Sequence, residues 1–155
     1  MDCELMKKII EPVELLFIER NPGNLKQLFE VFNESKFSNH IRFTGNADEA
    51  LRMIFQDGEY SNVPRPDLII SDIHSYRREA GVGVLAEVLA NIAKTETIKC
   101  IPTVILTSLE DKEEEIEIQN CPNLLINKPD KSEDYQNIVK SIEKFWLKHK
   151  NDKIS

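Results

Sequence analysis

Four short apolar runs in this chain each end in side chains able to do chemistry. The run VELLFI stops at Glu19 and Arg20, LIIS at Asp72, VIL at Thr107 and Ser108, and LLIN at Lys128 and Pro129. Apolar runs of this length read as buried strands. In an open parallel sheet, ligands bind beyond the carboxyl ends of the strands. If the first, third, fourth and fifth strands are neighbours, two carboxylates, a hydroxyl and an amine converge on one edge. That set suits phosphoryl chemistry. A carboxylate can act as the nucleophile. A divalent cation held by acids neutralises the incoming phosphate, and hydroxyl and ammonium groups hold its oxygens.

The elements between these groups must position them. After the first strand the spacing predicts a helix, with Asn21 as its cap and Pro22 in its first turn. Its apolar residues are Leu25, Leu28, Phe29 and Phe32. Residues 40–44 alternate as a short strand. Residues 46–55 read as a helix with Ala47, Ala50, Leu51, Ile54 and Phe55 on one side. A loop over 58–66, broken by Gly58, Pro64 and Pro66, leads to the third strand at 67–72. A polar loop over 74–80 and a helix over 81–94 follow. The fourth strand spans 101–107, with Pro102 at its start, where a missing donor is tolerated. Residues 110–119 are very acidic and read as a solvated helix. The fifth strand spans 123–128 and Pro129 ends it. The last helix covers 132–149, with Asp130 and Glu133 as a capping pair. Its apolar stripe is Tyr135, Ile138, Val139, Ile142, Phe145 and Trp146. Five strands alternating with five helices imply parallel strands and right-handed crossovers. Uninterrupted apolar strands imply a sheet covered on both faces, hence a three-layer α/β sandwich.

The chain has 155 residues, which fits one domain, and carries 27 acids against 20 bases for a net charge of -7. That balance argues against a nucleic-acid partner, which calls for a basic stripe. No run of about 18 apolar residues is present to span a membrane, and the N-terminus lacks the layout of a secretory signal. Cys3, Cys100 and Cys121 are odd in number, far apart and without a CxxC pair. They read as reduced thiols in a cytoplasmic protein. His40, His74 and His149 show no zinc-ligand spacing.

Taken in order, VELLFIERNPGN, NADEAL, RPDLIISD, GVGVLAEV, IPTVILTS and LLINKP make residues 12–147 resemble the receiver domain of two-component response regulators. The closing IEKFWL is similar to that of the small single-domain regulators that partner cyanobacterial phytochromes. The resemblance implies a flavodoxin-like fold with a five-stranded parallel sheet of order 2-1-3-4-5 and helices on both faces. It divides the chain into an N-terminal extension (1–11), a receiver (12–149) and a short tail (150–155). It implies that Asp72 accepts a phosphoryl group from a histidine kinase. It implies that Glu19 belongs to the acidic pair that organises Mg2+, with Asp72 and the backbone carbonyl of His74 as further ligands. Thr107 matches the hydroxyl that follows the phosphoryl group, and Lys128 the lysine that contacts it. Pro129 matches a proline whose preceding bond is often cis.

The departures from that pattern bear on function. Arg20 stands where the second acid is usual, which removes a metal ligand and puts a like charge beside the cation, so Mg2+ should bind more weakly. Its guanidinium alternatively pairs with Asp72 or Glu19, or is a plain surface group. Leu125 replaces the aromatic partner of Thr107 in switching. The loop IHSYRREAG is longer than usual and lacks the usual proline, and the segment before the fifth strand ends in Cys121-Pro122-Asn123. The His74 side chain reads as a solvated loop residue. The acids of 111–115 form a solvated face or help choose a partner. Phe145 and Trp146 are core, or with the last strand–helix region form a homodimer face. The leading expectation is a single-domain phosphoacceptor, not an enzyme. It would signal by contact with a downstream protein, or relay phosphate onward, because few residues follow the last helix. The alternative is a degenerate receiver, a binding module independent of phosphorylation, in which Arg20 replaces the cation. A flavin-binding protein of similar topology is disfavoured, because the first loop has no Ser, Thr and Gly run to cradle a phosphate.

Overall fold

Along β1, Val13–Ile18, every residue is buried, and alternate residues feed two separate cores. The computed structural model describes residues 12–19, 22–73, 83–107, 121–129 and 131–152. After β1 come a 3-10 turn at Pro22–Leu25, α1 (Lys26–Glu34), β2 (Asn39–Thr44), α2 (Ala47–Phe55) and β3 (Leu68–Asp72). Then follow α3 (Val84–Ala93), β4 (Thr103–Thr107), β5 (Asn123–Asn127) and α4 (Tyr135–Asp152). All strand pairings are parallel, and the sheet order is β2-β1-β3-β4-β5. The flavodoxin-like expectation therefore holds. Among the described residues, no helix is long and apolar enough to cross a membrane.

The period of two along a strand explains the three layers. Leu15 and Phe17 of β1 join Leu68, Ile70, Val104 and Leu106 under α1 and α4. Leu16 and Ile18 join Ile69 and Ile105 under α2 and α3. Phe17 is the centre of the first core, meeting Phe43 edge to face at 5.0 Å and Phe32 at 6.1 Å. Phe145 and Trp146 are buried in that core with the rest of the α4 stripe, while Leu147 beside them is 49% exposed. Glu14 interrupts the apolar pattern of β1. Its carboxylate is held by Arg42 at 2.8 Å and His40 at 3.0 Å from β2, and its N–H donates to Asp67.

Several boundaries differ from the sequence reading by one to three residues. Pro22 opens a 3-10 turn instead of the α-helix itself, and α4 likewise follows a short 3-10 turn at Ser132–Asp134. Such turns are common where a helix starts, because they satisfy its first amides locally. The fourth strand begins at Thr103, after Pro102. The Asn21 cap, the 74–80 loop, the start of the helix placed at 81, the acidic helix at 110–119 and Asp130 lie outside the described residues.

The cysteine reading is overturned. Cys100 and Cys121 form a disulfide, with Cα atoms 5.3 Å apart. Distance along the chain misled the sequence reading, because the parallel ladder brings Thr103 opposite Asn123, and the two cysteines stand just ahead of that pair. Cys3 lies outside the described residues.

Candidate functional site

The carboxyl edge of the sheet gathers the chemistry. Register fixes how: Ile18 pairs with Ser71, Asp72 with Leu106, and Thr107 with Asn127. Glu19 follows Ile18, so it stands one step beyond the Ile18–Ser71 pair, beside Asp72. Its N–H donates to the Thr44 carbonyl at 3.0 Å, and it is buried. The Ser71 hydroxyl donates to the Ile18 carbonyl at 2.7 Å and so ties β3 to β1 directly beneath the two acids.

Asp72 is 0% exposed. A charge so deeply buried needs a counter-ion or several hydrogen bonds. Lys128 supplies the first, with its ammonium in ion-pair contact with Asp72 Oδ2. The lysine reaches there because β5 ends at Asn127 and its own N–H donates to the Thr107 carbonyl at 2.7 Å, which extends the ladder by one residue. Its side chain is 25% exposed, so water has access to the ammonium end of the pair.

Thr107 is brought to the same edge, but its hydroxyl is engaged elsewhere. It donates to Asn127 Oδ1 at 2.7 Å, across the β4–β5 ladder. Sequence reasoning missed Asn127, which reads as an ordinary strand residue. Its signal was its place directly opposite Thr107. Leu125, in the position of the missing aromatic, is 44% exposed on the same side of β5.

Asp72 and Lys128 are in contact, while Glu19 and Thr107 stand at the same edge of the sheet by strand register. Arg20 and the His74 carbonyl lie outside the described residues. The bond before Pro129 is not cis, since no described peptide bond is. An X–Pro bond has only a small intrinsic preference between the two forms, so the resemblance did not fix it. For a divalent cation, the two buried carboxylates at adjacent strand ends are hard oxygen donors of the type that Mg2+ and Mn2+ take. Such an ion would be held by Glu19 and Asp72, although among the described residues no cluster of three or more His, Cys, Asp or Glu side chains is present to complete the set.

No model of a protein family matches the sequence. The chain is similar to the response regulator Rcp1 of Synechocystis sp. (strain ATCC 27184 / PCC 6803 / Kazusa), 28% identical over 137 residues that cover 88% of this chain and 90% of that protein. Among solved structures, it is similar to the phosphorylated cyanobacterial phytochrome response regulator RcpA, with a TM-score of 0.65 and 29% identity, covering 88% of this chain and 95% of that one. It is also similar to the Mn(2+)-bound form of Rcp1, with a TM-score of 0.62, 29% identity and the same coverage.

Proposed function

We propose, from the premise that this chain is a response-regulator receiver domain homologous to Rcp1, that Asp72 accepts a phosphoryl group from a histidine kinase and that the domain signals through protein contacts. The observation that carries the reading is the fully buried Asp72 at the end of β3 with the Lys128 ammonium on its carboxylate. An Asp72 oxygen attacks phosphorus, and the bond from phosphorus to the donor's imidazole nitrogen breaks. Lys128 then moves from carboxylate to phosphoryl oxygens, where its charge is still needed. Thr107 leaves Asn127 and donates to the same oxygens. A divalent cation held by Glu19 and Asp72 would offset the charge of the arriving phosphate. Mg2+ is the proposed ion, and a relative crystallised with Mn2+ supports divalent binding of this class. Relatives named as phytochrome response regulators make a phytochrome-linked kinase the first donor to try.

The test is intact-protein mass after incubation with acetyl phosphate, with and without Mg2+, on the natural chain, Asp72→Ala and Arg20→Asp. One phosphoryl adduct, absent from Asp72→Ala, is the expected result. An adduct on Arg20→Asp alone would mean that Arg20 disables an otherwise complete site, and the phosphate-independent binding module would then be the better reading.

A further inference from the structure

Cys100 and Cys121 stand directly ahead of β4 and β5, at the end of the sheet opposite Asp72. Backbone interactions hold these entry points together: the ladder starts at Thr103 and Asn123, and the Thr103 N–H donates to the Pro122 carbonyl at 3.0 Å. A Cα separation of 5.3 Å suits a bridge that forms without moving the backbone. Cys121 is buried, whereas Cys100 is half-buried and within reach of a small reagent. The strand being clasped is the vulnerable one. Among the described strands, β5 is an edge whose neighbour is β4 alone, and Asn123, Leu125 and Asn127 on one side of it are exposed. Its far end carries Asn127, which holds Thr107, and leads into Lys128, which holds Asp72.

We propose that Cys100 and Cys121 form a reversible thiol–disulfide clasp, whose closed form fixes β5 on β4 and so keeps Lys128 at the phosphoacceptor. The regulatory part rests on the reading of Asp72 given above. The oxidant is a low-molecular-weight disulfide of the glutathione type. The Cys100 thiolate attacks one of its sulfurs, the reagent's S–S bond breaks, and one thiolate leaves. The Cys121 thiolate then attacks Cys100 Sγ and releases the second. Two protein thiols become one disulfide, the reagent becomes two thiols, and the cysteine protons end on them. Excess thiol runs both steps backwards.

The full chain is equilibrated in glutathione buffers of increasing oxidised fraction, and its free thiols are counted by maleimide mass. Of the three cysteines, all react in the reduced chain and Cys3 alone in the closed one. Amide hydrogen exchange across residues 123–127 is compared in the two forms, along with the rate of adduct formation from acetyl phosphate. Closure is expected to slow exchange by about tenfold or more and to speed adduct formation severalfold. Cys121→Ser, or Cys100→Ser where the first folds poorly, should behave as the reduced chain in every buffer. A pair that stays open in oxidised glutathione overturns the clasp, as does a closed pair whose exchange and adduct rates equal those of the open one. If neither form takes a phosphoryl group, the phosphoacceptor reading fails instead, and exchange alone decides: equal protection rejects the clasp, and slower exchange in the closed form upholds it.

Discussion

Asp72 and Lys128 are best understood as a single unit. Removing one partner of a buried ion pair strands the other, at a cost of about 3–5 kcal/mol when both are fully buried. Lys128 is partly exposed, so water screens some of that loss. Lys128→Met is therefore expected to lower the unfolding free energy in urea by about 2 kcal/mol. Adding Asp72→Asn to that variant should restore most of it, because the stranded charge is gone. Two losses that simply add would mean the groups do not interact. Asn127 gives a second expectation. Its side-chain oxygen competes for the Thr107 hydroxyl, a bond of about 1 kcal/mol net. In Asn127→Ala the hydroxyl is released, so an adduct on Asp72 should persist severalfold longer when its decay is followed by mass. An unchanged lifetime would show that Asn127 does not hold Thr107 in reserve. Asp72 and Lys128 were legible in the sequence because each abruptly ends an apolar run. Asn127 was not, because its role depends on the residue opposite, and cross-strand register is not written locally. The same holds for Glu14, which the sequence hides in an apolar run and Arg42 explains.

At the scale of elements, most of what positions the site follows from local signals. The clearest is α2. The Asn46 side chain accepts the Glu49 N–H at 3.2 Å, and Asp48 and Glu49 occupy the first turn, where the helix dipole favours acids. Asn46→Ala is expected to cost about 1 kcal/mol in a urea titration, while Asn46→Ser should cost much less, since serine caps nearly as well. Equal losses for both would point to some other role for Asn46. The strands were legible for a different reason: β1 and β3 are covered on both faces, so apart from Glu14 their apolar residues run together. By contrast, β5 alternates between exposed and half-buried residues, as an edge strand does. The helix starts were less legible, since a 3-10 turn and the first turn of an α-helix use the same residues.

At the scale of the whole molecule, alternation of strands and helices gave the layers, while the strand order came from the resemblance and is now seen in the pairings. The disulfide was legible in neither, because it depends on that order: only when β5 lies on β4 do Cys100 and Cys121 meet. Its consequence for stability is global, since it restricts the unfolded chain. The bridge spans a sequence separation of 21 and encloses β4 and Thr107. Closing a loop of that size is worth about 3 kcal/mol on the chain-entropy account. For a domain of this length, reduction should then lower Tm by about 6–12 °C. Calorimetry of the full chain with and without a reductant checks this, and Cys100→Ser should melt with the reduced form and ignore the reductant. If Tm does not move, residual structure in the unfolded chain already restricts it as much as the bridge does. A fall larger than this range would mean that reduction frees β5 in the folded state as well, so that the edge strand and the Lys128 it carries open before the rest of the sheet.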